Sequence, residues 1–192
     1  IIDEAHNIED AATGFFSTSI SKIGLKRIIS RLYQRKKSHI IGLLPYLISK
    51  LRRFLKKEDE VKVNDLIYSI GGSIASNVNY IDNFFETILI YTPMIFRNQE
   101  KQNKFWLKAE HKENQFFPEI VEKGELLINS LNELTSSIQE ALGFINKLDK
   151  EIKKEAASEI REINSISERL FNISSDIKSF ITLSRDDQVY WI

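Results

Sequence analysis

The chain of 192 residues is 42% hydrophobic and 28% charged, with 27 basic and 27 acidic side chains, which is enough for one domain with a sizeable core. It contains no Cys, which excludes disulfides, thiolate zinc sites and iron–sulfur ligation by these residues. No apolar run approaches the roughly 18 residues of a membrane span and no signal peptide is recognisable, so we expect no membrane partner and a cytoplasmic location, or a nuclear one in a eukaryote.

The first residues predict a buried strand that ends in carboxylates. Ile1 and Ile2 lead directly into Asp3 and Glu4, a pattern typical of a parallel-sheet strand that presents polar side chains at its carboxyl end. A short helix is expected to begin at Asn7 and to continue to about residue 15, with acidic residues in its first turn.

Two amphipathic helices are expected next. The apolar spacing predicts one helix over residues 22–36 with Ser21 as its N-cap. A second helix is expected with Pro45 in its first turn. Its apolar stripe, which we expect to face the core, is formed by Leu44, Leu47, Ile48, Leu51, Phe54 and Leu55.

The two helices belong to a segment that is strongly basic. Residues 11–57 contain twelve basic residues and no acidic one, whereas residues 58–192 contain 15 basic and 23 acidic residues. This asymmetry predicts a basic face for a polyanion, opposed by an acidic remainder. The basic residues are Lys22, Lys26, Arg27, Arg31, Arg35, Lys36, Lys37, Lys50, Arg52, Arg53, Lys56 and Lys57.

A long helix is expected in the middle of the chain. The acidic residues 58–60 predict a loop, Asn64 is the expected N-cap, and Pro93 marks the expected end. The pair Gly71-Gly72 lies inside this helix and predicts a kink or a close helix contact, because each Gly costs about 1 kcal/mol relative to Ala.

The last third has the strongest helical periodicity. Apolar seams from Leu127 to Leu148 and from Ile163 to Phe180 predict two long helices that form an antiparallel hairpin, with Asp149 as the second N-cap. Residues 105–107 are expected to form a short strand that pairs with residues 189–192. The predicted fold class is mainly α, a multi-helix bundle with a long antiparallel helical hairpin and one small β pair.

The motif that carries chemistry is Asp3-Glu4-Ala5-His6 after an aliphatic pair. Mg²⁺ prefers carboxylate oxygens and bridges the terminal phosphates of a bound nucleotide. The adjacent Glu4 can act as general base on the attacking water, and His6 can link the site to nucleic-acid-binding elements. The structural alternative is that Asp3 and Glu4 only cap a helix that starts near Asn7.

The opening sequence IIDEAHNIEDAA resembles the DEAH box of XPD/DinG-type superfamily 2 DNA helicases, in which Asp-Glu-Ala-His-Asn is followed by an aliphatic residue and acidic residues. The closing residues 188–192 resemble the strand by which that family's chain re-enters its first motor domain. The resemblance implies that residues 1–14 end the first motor domain, residues 15–185 form the inserted helical arch domain, and residues 186–192 return to the motor domain.

The resemblance also implies roles for individual residues. Asp3 would hold Mg²⁺ through water, Glu4 would be the catalytic base, and His6 would couple the site to the DNA-bound state. ATP and Mg²⁺ would be cofactors of the parent protein, and any iron–sulfur cluster would be bound elsewhere in that parent. Because the chain lacks a G-x-x-x-x-G-K-[ST] phosphate loop, we expect it to be inactive in isolation.

In that family the arch helps to enclose a passage for single-stranded DNA beside the motor domains. The resemblance therefore implies single-stranded DNA and the motor domains as partners, with the twelve basic residues as a phosphate contact that has no sequence preference. Tyr33 is a candidate for stacking on bases. One alternative is a solvated face whose basic residues pair with the acidic remainder.

A second functional class stays open. The chain could be a helical protein–protein interaction module with no nucleic-acid role, in which the DEAH sequence is accidental. Trp106 and Trp191 would be candidate interface anchors, although we expect both as buried strand residues.

Overall fold

A computed structural model describes residues 19–37, 39–96, 105–184 and 189–192. The described ranges are mainly helical, which confirms the predicted fold class. Five α-helices occur in the order α1 (Lys22–Leu32), α2 (Leu43–Leu51), α3 (Lys57–Ile95), α4 (Phe117–Ile145) and α5 (Lys150–Thr182). The strands β1 (Gln34–Lys36) and β2 (His39–Ile41) separate α1 from α2, and β3 (Trp106–Leu107) and a 3₁₀ helix (Ala109–Glu113) precede α4. The strand β4 (Tyr190–Trp191) follows α5.

Three long helices, α3, α4 and α5, form the body of the bundle. Lys62 near the start of α3 lies over the ring of Phe144 near the end of α4. Tyr91 near the end of α3 stacks on Phe116, which caps the start of α4. These two contacts show that α3 and α4 are antiparallel.

The predicted helical hairpin is confirmed by α4 and α5. The Ser174 hydroxyl on α5 donates to Oδ1 of Asn132 on α4 at 2.9 Å, and Gln139 on α4 donates to the Ser167 hydroxyl on α5 at 3.0 Å. Asp149 is the N-cap of α5 as expected, but its side chain makes no capping hydrogen bond.

The apolar seams of the three long helices meet in one core along the bundle. Buried side chains alternate at spacings of three and four residues, as in α4 with Leu127, Leu131, Leu134 and Ile138. Burying each such side chain contributes about 1.5–3 kcal/mol, so helix packing carries most of the stability of this fold.

A shorter layer, formed by α1, β1, β2 and α2, covers this core. Ser21 caps α1 as predicted, because its Oγ accepts a hydrogen bond from Gly24 N at 3.1 Å. The predicted extension of this helix to residue 36 is wrong, since α1 ends at Leu32. The chain then forms an antiparallel hairpin of β1 and β2, with Lys36 paired to His39.

Gly42 explains why the chain turns there. Its φ of 129° lies in a region that favours glycine. A Cβ at this position would lie 2.5 Å from the carbonyl oxygen of Leu32. The chain therefore returns directly against the end of α1, and a continued helix would not allow this approach.

Two further helix boundaries differ from the predictions. Helix α2 ends at Leu51, so Phe54 lies in the following turn and is 38% exposed, which makes its expected core position wrong. The acidic residues 58–60 are not a loop but the first turn of α3, which begins at Lys57 and not after Asn64. Carboxylates in a first turn interact favourably with the helix dipole.

The structure also shows where α3 ends and what surrounds its two adjacent glycines. Helix α3 continues through Pro93 to Ile95, because a proline two residues before the end removes only one late hydrogen bond. Gly71 forms the predicted close contact, because the ring of Tyr33 occupies the place where a Cβ would lie. Gly72 faces open space.

The small β pair is confirmed at the predicted place. Trp106 pairs with Trp191 and Leu107 with Tyr190 in antiparallel register. Phe105 and Ile192 extend the pair with two backbone hydrogen bonds of 2.9–3.0 Å. The expectation that Trp106 is buried is wrong, because 46% of it is exposed.

Candidate nucleic-acid interface

The predicted site falls into two parts. The predicted catalytic and metal residues Asp3, Glu4 and His6 lie outside the described residues. The twelve predicted DNA-binding residues of the segment 22–57 are described, and their contacts divide them into two groups of six.

The first group begins with two lysines on α1. The Lys22 ammonium lies 2.7 Å from Asp82 Oδ1 and 3.0 Å from Glu86 Oε1, and the Lys26 ammonium lies 2.6 Å from Asp82 Oδ1. The hydrogen bonds from Lys22 and Lys26 hold the pKa of Asp82 below its ordinary value. The hydrogen bonds that Lys22 donates to Asp82 and Glu86 raise the pKa of Lys22. These ion pairs hold α1 against α3.

Two more basic residues hold α2 and its following turn against α5. The Lys50 ammonium donates to both carboxylate oxygens of Glu159 at 3.1 Å. The Arg53 guanidinium donates to Glu155 at 2.8 Å. The spacing of the two carboxylates by four residues places them on one face of α5.

The last two of this group are arginines. Arg31 on α1 forms an ion pair with Glu162 on α5. Arg52 Nε donates to Glu60 Oε1 at 2.6 Å, which raises the pKa of Arg52. The alternative in which basic residues pair with the acidic remainder therefore holds for half of the predicted set, namely Lys22, Lys26, Arg31, Lys50, Arg52 and Arg53.

The other six form no ion pair within the described residues, and all are exposed. They are Arg27, Arg35, Lys36, Lys37, Lys56 and Lys57. They are not all adjacent, since Lys57 is well separated from the hairpin cations. Tyr33, which directly precedes the hairpin, contacts Gly71 on α3. Gly71 lies 14 residues along α3 from Lys57, which is a distance of about 21 Å at 1.5 Å per residue.

The three that are adjacent lie on the β1–β2 hairpin. Arg35 is directly opposite Ile40, and Lys36 is opposite His39, so cations occur on both faces because side chains alternate along a strand. Lys37 follows in the turn with a φ of 46°. Ile40 and Ile41 are 37% and 42% exposed. The hairpin thus presents three cations that form no ion pair in the described part of the chain, beside two accessible aliphatic side chains.

The aromatic side chains near this segment differ from expectation. Tyr33 packs against Gly71 and is only partly exposed, so part of its ring is covered by α3. The ring of Phe54 lies 4.7 Å from the Arg53 guanidinium. Tyr46 on α2 is the more exposed ring of this segment, at 57%.

The β1–β2 hairpin was not predicted from the sequence. The signal that could have revealed it is Gly42 after two β-branched residues, Ile40 and Ile41. A glycine after such a run is typical of a strand that ends in a tight turn.

Three further findings bear on function. No three His, Asp or Glu side chains within the described ranges lie close enough to hold a metal ion. None of the helices that the structure describes is long and apolar enough to cross a membrane. Comparison with known proteins gives no match to a family model, a curated protein or a solved structure.

Proposed function

We propose that this chain is the helical arch insertion of an ATP-dependent DNA helicase of the XPD/DinG type. In this proposal it helps to enclose and guide single-stranded DNA while the parent protein hydrolyses ATP. The observation that carries the proposal is the sequence IIDEAHNIEDAA at residues 1–12. Asp3 would bind Mg²⁺ through water and Glu4 would activate the attacking water.

The path of the chain supports an insertion. Lys22 at the start of α1 contacts Glu86 in the last third of α3. Phe180 at the end of α5 contacts Tyr190 of β4, with ring centroids 6.3 Å apart. Residues 22 and 190 therefore lie towards the same end of the bundle, as an insertion into a host domain requires.

Exposed apolar side chains at that end also support a host domain. Ile23 on the first turn of α1 and Leu89, Ile90 and Met94 on the last turns of α3 are exposed, as is Val189 before β4. Several exposed apolar side chains towards one end of a bundle are consistent with an interface there. In the proposal, the motor domain of the same chain covers these residues.

The second candidate is a helical protein-interaction module with no nucleic-acid role. It is favoured by the seven ion pairs that commit six of the twelve basic residues to internal contacts. Exposed Tyr68 on α3 and Phe171 on α5 would then serve as partner contacts. This candidate predicts no coupling to ATP hydrolysis.

The test uses the full-length parent protein with residues 20–189 replaced by a flexible Gly/Ser linker. Because residues 22 and 190 lie towards one end of the bundle, such a linker leaves the motor domain connected. We expect the variant to keep basal ATP hydrolysis and to lose unwinding of a forked DNA. Unwinding at the wild-type rate, or a wild-type parent without DNA-stimulated ATP hydrolysis, would contradict the proposal. The isolated chain should hydrolyse no ATP.

A further inference from the structure

The β1–β2 hairpin, residues 34–37 and 39–41, carries three adjacent members of the six basic residues that form no ion pair within the described ranges. We propose that this hairpin is the element that grips single-stranded DNA, with backbone phosphates on Arg35, Lys36 and Lys37 and bases packed on Ile40 and Ile41. This inference rests on the proposed function and goes further by naming the contact and the chemistry at each position.

Charge complementarity is the first argument. Within the described residues, Arg35, Lys36 and Lys37 have no acidic partner, whereas Arg31 just before them is paired with Glu162. Three adjacent cations that lack an acidic partner in the described ranges form a local positive potential that attracts a polyanion. Their alternation along β1 places cations on both faces of the hairpin, which suits a strand that wraps around it.

The exposed isoleucines are the second argument. Ile40 lies directly across from Arg35, and both Ile40 and Ile41 leave more than a third of their surface in water. A hairpin that only carried solvated charge would gain nothing from these side chains. Apolar side chains, Ile among them, insert between neighbouring bases in nucleic-acid complexes, and burial of this apolar surface would add affinity without a charge requirement.

Preorganisation is the third argument. A two-stranded hairpin is marginally stable alone, but this one is held at both ends. Tyr33 before β1 packs on Gly71, and Gly42 after β2 lies against the carbonyl oxygen of Leu32. A contact that is already ordered loses little conformational entropy on binding.

The charge arm of the test measures affinity for a fluorescent oligo-dT across a series of salt concentrations. The variant R35S/K36S/K37S should bind more weakly, and the slope of log affinity against log salt should fall by about 2, since each phosphate contact on a single strand contributes about 0.7. The control K112S/K147S/K178S removes three exposed cations, none ion-paired within the described residues, and should keep the wild-type slope. Equal slopes for the two variants would overturn the proposal.

The apolar arm uses I40S/I41S, which keeps every charge. Its affinity for oligo-dT should fall about tenfold, equivalent to 1.4 kcal/mol, with an unchanged salt slope. The control L126S/F171S removes two exposed apolar side chains from α4 and α5 and should bind as the wild type does. Wild-type affinity of I40S/I41S, or equal binding of duplex DNA and oligo-dT by the wild-type chain, would overturn the assignment of bases to these residues.

Failure of this inference and failure of the proposed function are distinguishable. If the wild-type chain binds no oligo-dT at low salt, the hairpin assignment is wrong. The parent protein's unwinding and ATP hydrolysis still decide the proposed function, because the motor domains could hold DNA without the hairpin. Circular dichroism of each variant checks that the helical content is unchanged.

Discussion

The Lys50 ammonium lies 3.1 Å from both carboxylate oxygens of Glu159 and joins α2 to α5. Glu159 is 9% exposed, so its charge depends on Lys50 for compensation. We expect Lys50→Met to lower the free energy of unfolding by up to about 3 kcal/mol, because it leaves a buried carboxylate unpaired. Urea denaturation measures this, with Lys57→Met as the exposed control. Equal stability of the two variants would show that the pair is not structural.

Asp82 predicts a pH-dependent contribution to stability. Its folded-state pKa is below the ordinary value of 3.8 because Lys22 and Lys26 donate to it. A lowered carboxyl pKa stabilises the fold fully above the unfolded-state pKa, and this stabilisation is lost as pH falls through the folded-state pKa. Asp82→Asn should therefore lower the urea midpoint at pH 7. The difference in urea midpoint between this variant and the wild type should disappear as the pH falls below 3.8.

The control for this experiment is Asp65→Asn, on an exposed turn of α3 with no ion pair in the described structure. The urea midpoint of Asp65→Asn should differ little from that of the wild type at every pH. A gap for Asp82→Asn that stays constant from pH 7 to pH 3 would mean that its carboxylate charge contributes nothing.

The adjacent glycines of α3 predict opposite responses to one substitution. Gly72→Ala should stabilise the chain by up to about 1 kcal/mol through helix propensity, because nothing lies within 4 Å of the new Cβ. Gly71→Ala places its Cβ 2.6 Å from the Tyr33 ring and should cost about 1–3 kcal/mol for the displaced ring. Thermal unfolding should rank Gly72→Ala above Gly71→Ala, and Tyr33→Leu should reduce the difference. The reverse ranking would contradict the packing of α1 on α3.

A second glycine pair tests the junction of the three long helices. A Cβ on Gly124 would lie 2.7 Å from Ile181 Cγ2 and 3.2 Å from Phe84 Cε2, whereas Gly143 on the same helix has open space. We expect Gly124→Ala to destabilise the chain by about 1–3 kcal/mol and Gly143→Ala to stabilise it by up to about 1 kcal/mol. If Gly124→Ala were also stabilising, helices α3, α4 and α5 would not approach as closely as described.

The sequence was sufficient to predict elements whose signal repeats over many residues. The apolar seams from Leu127 to Leu148 and from Ile163 to Phe180 recur for about six and about five turns, so one ambiguous residue does not change the prediction. The pairing of residues 105–107 with 189–192 followed from β propensity at two short apolar runs and is confirmed by the Trp106–Trp191 register.

Boundaries set by tertiary contacts could not be predicted in this way. The apolar residues of α1 led to a predicted helix as far as residue 36, but Gly42 brings the chain back against Leu32, and β1 and β2 form a hairpin instead. The acidic residues 58–60 resemble a loop by composition, yet their charges suit the first turn of a helix.

The candidate interface shows the same division. The charge distribution predicted a basic face. The sequence could not show that acidic residues of α3 and α5 form ion pairs with half of the basic residues, because these partners are distant along the chain. Asp82 lies 60 residues from Lys22, and Glu159 lies 109 residues from Lys50. Six basic residues form no ion pair within the described ranges, and the folded chain shows that three of them, Arg35 to Lys37, lie side by side on a hairpin.

The most direct test of the central claim is DNA-stimulated ATP hydrolysis by the full-length parent protein carrying Glu4→Gln. Loss of a general base typically costs 10²–10⁴-fold, so we expect hydrolysis to fall by at least about 100-fold while ATP and DNA binding persist. Glu9→Gln, five residues later in the same acidic segment, should retain wild-type hydrolysis. Hydrolysis by Glu4→Gln at the wild-type rate would contradict the assignment of this chain to an ATP-driven DNA helicase.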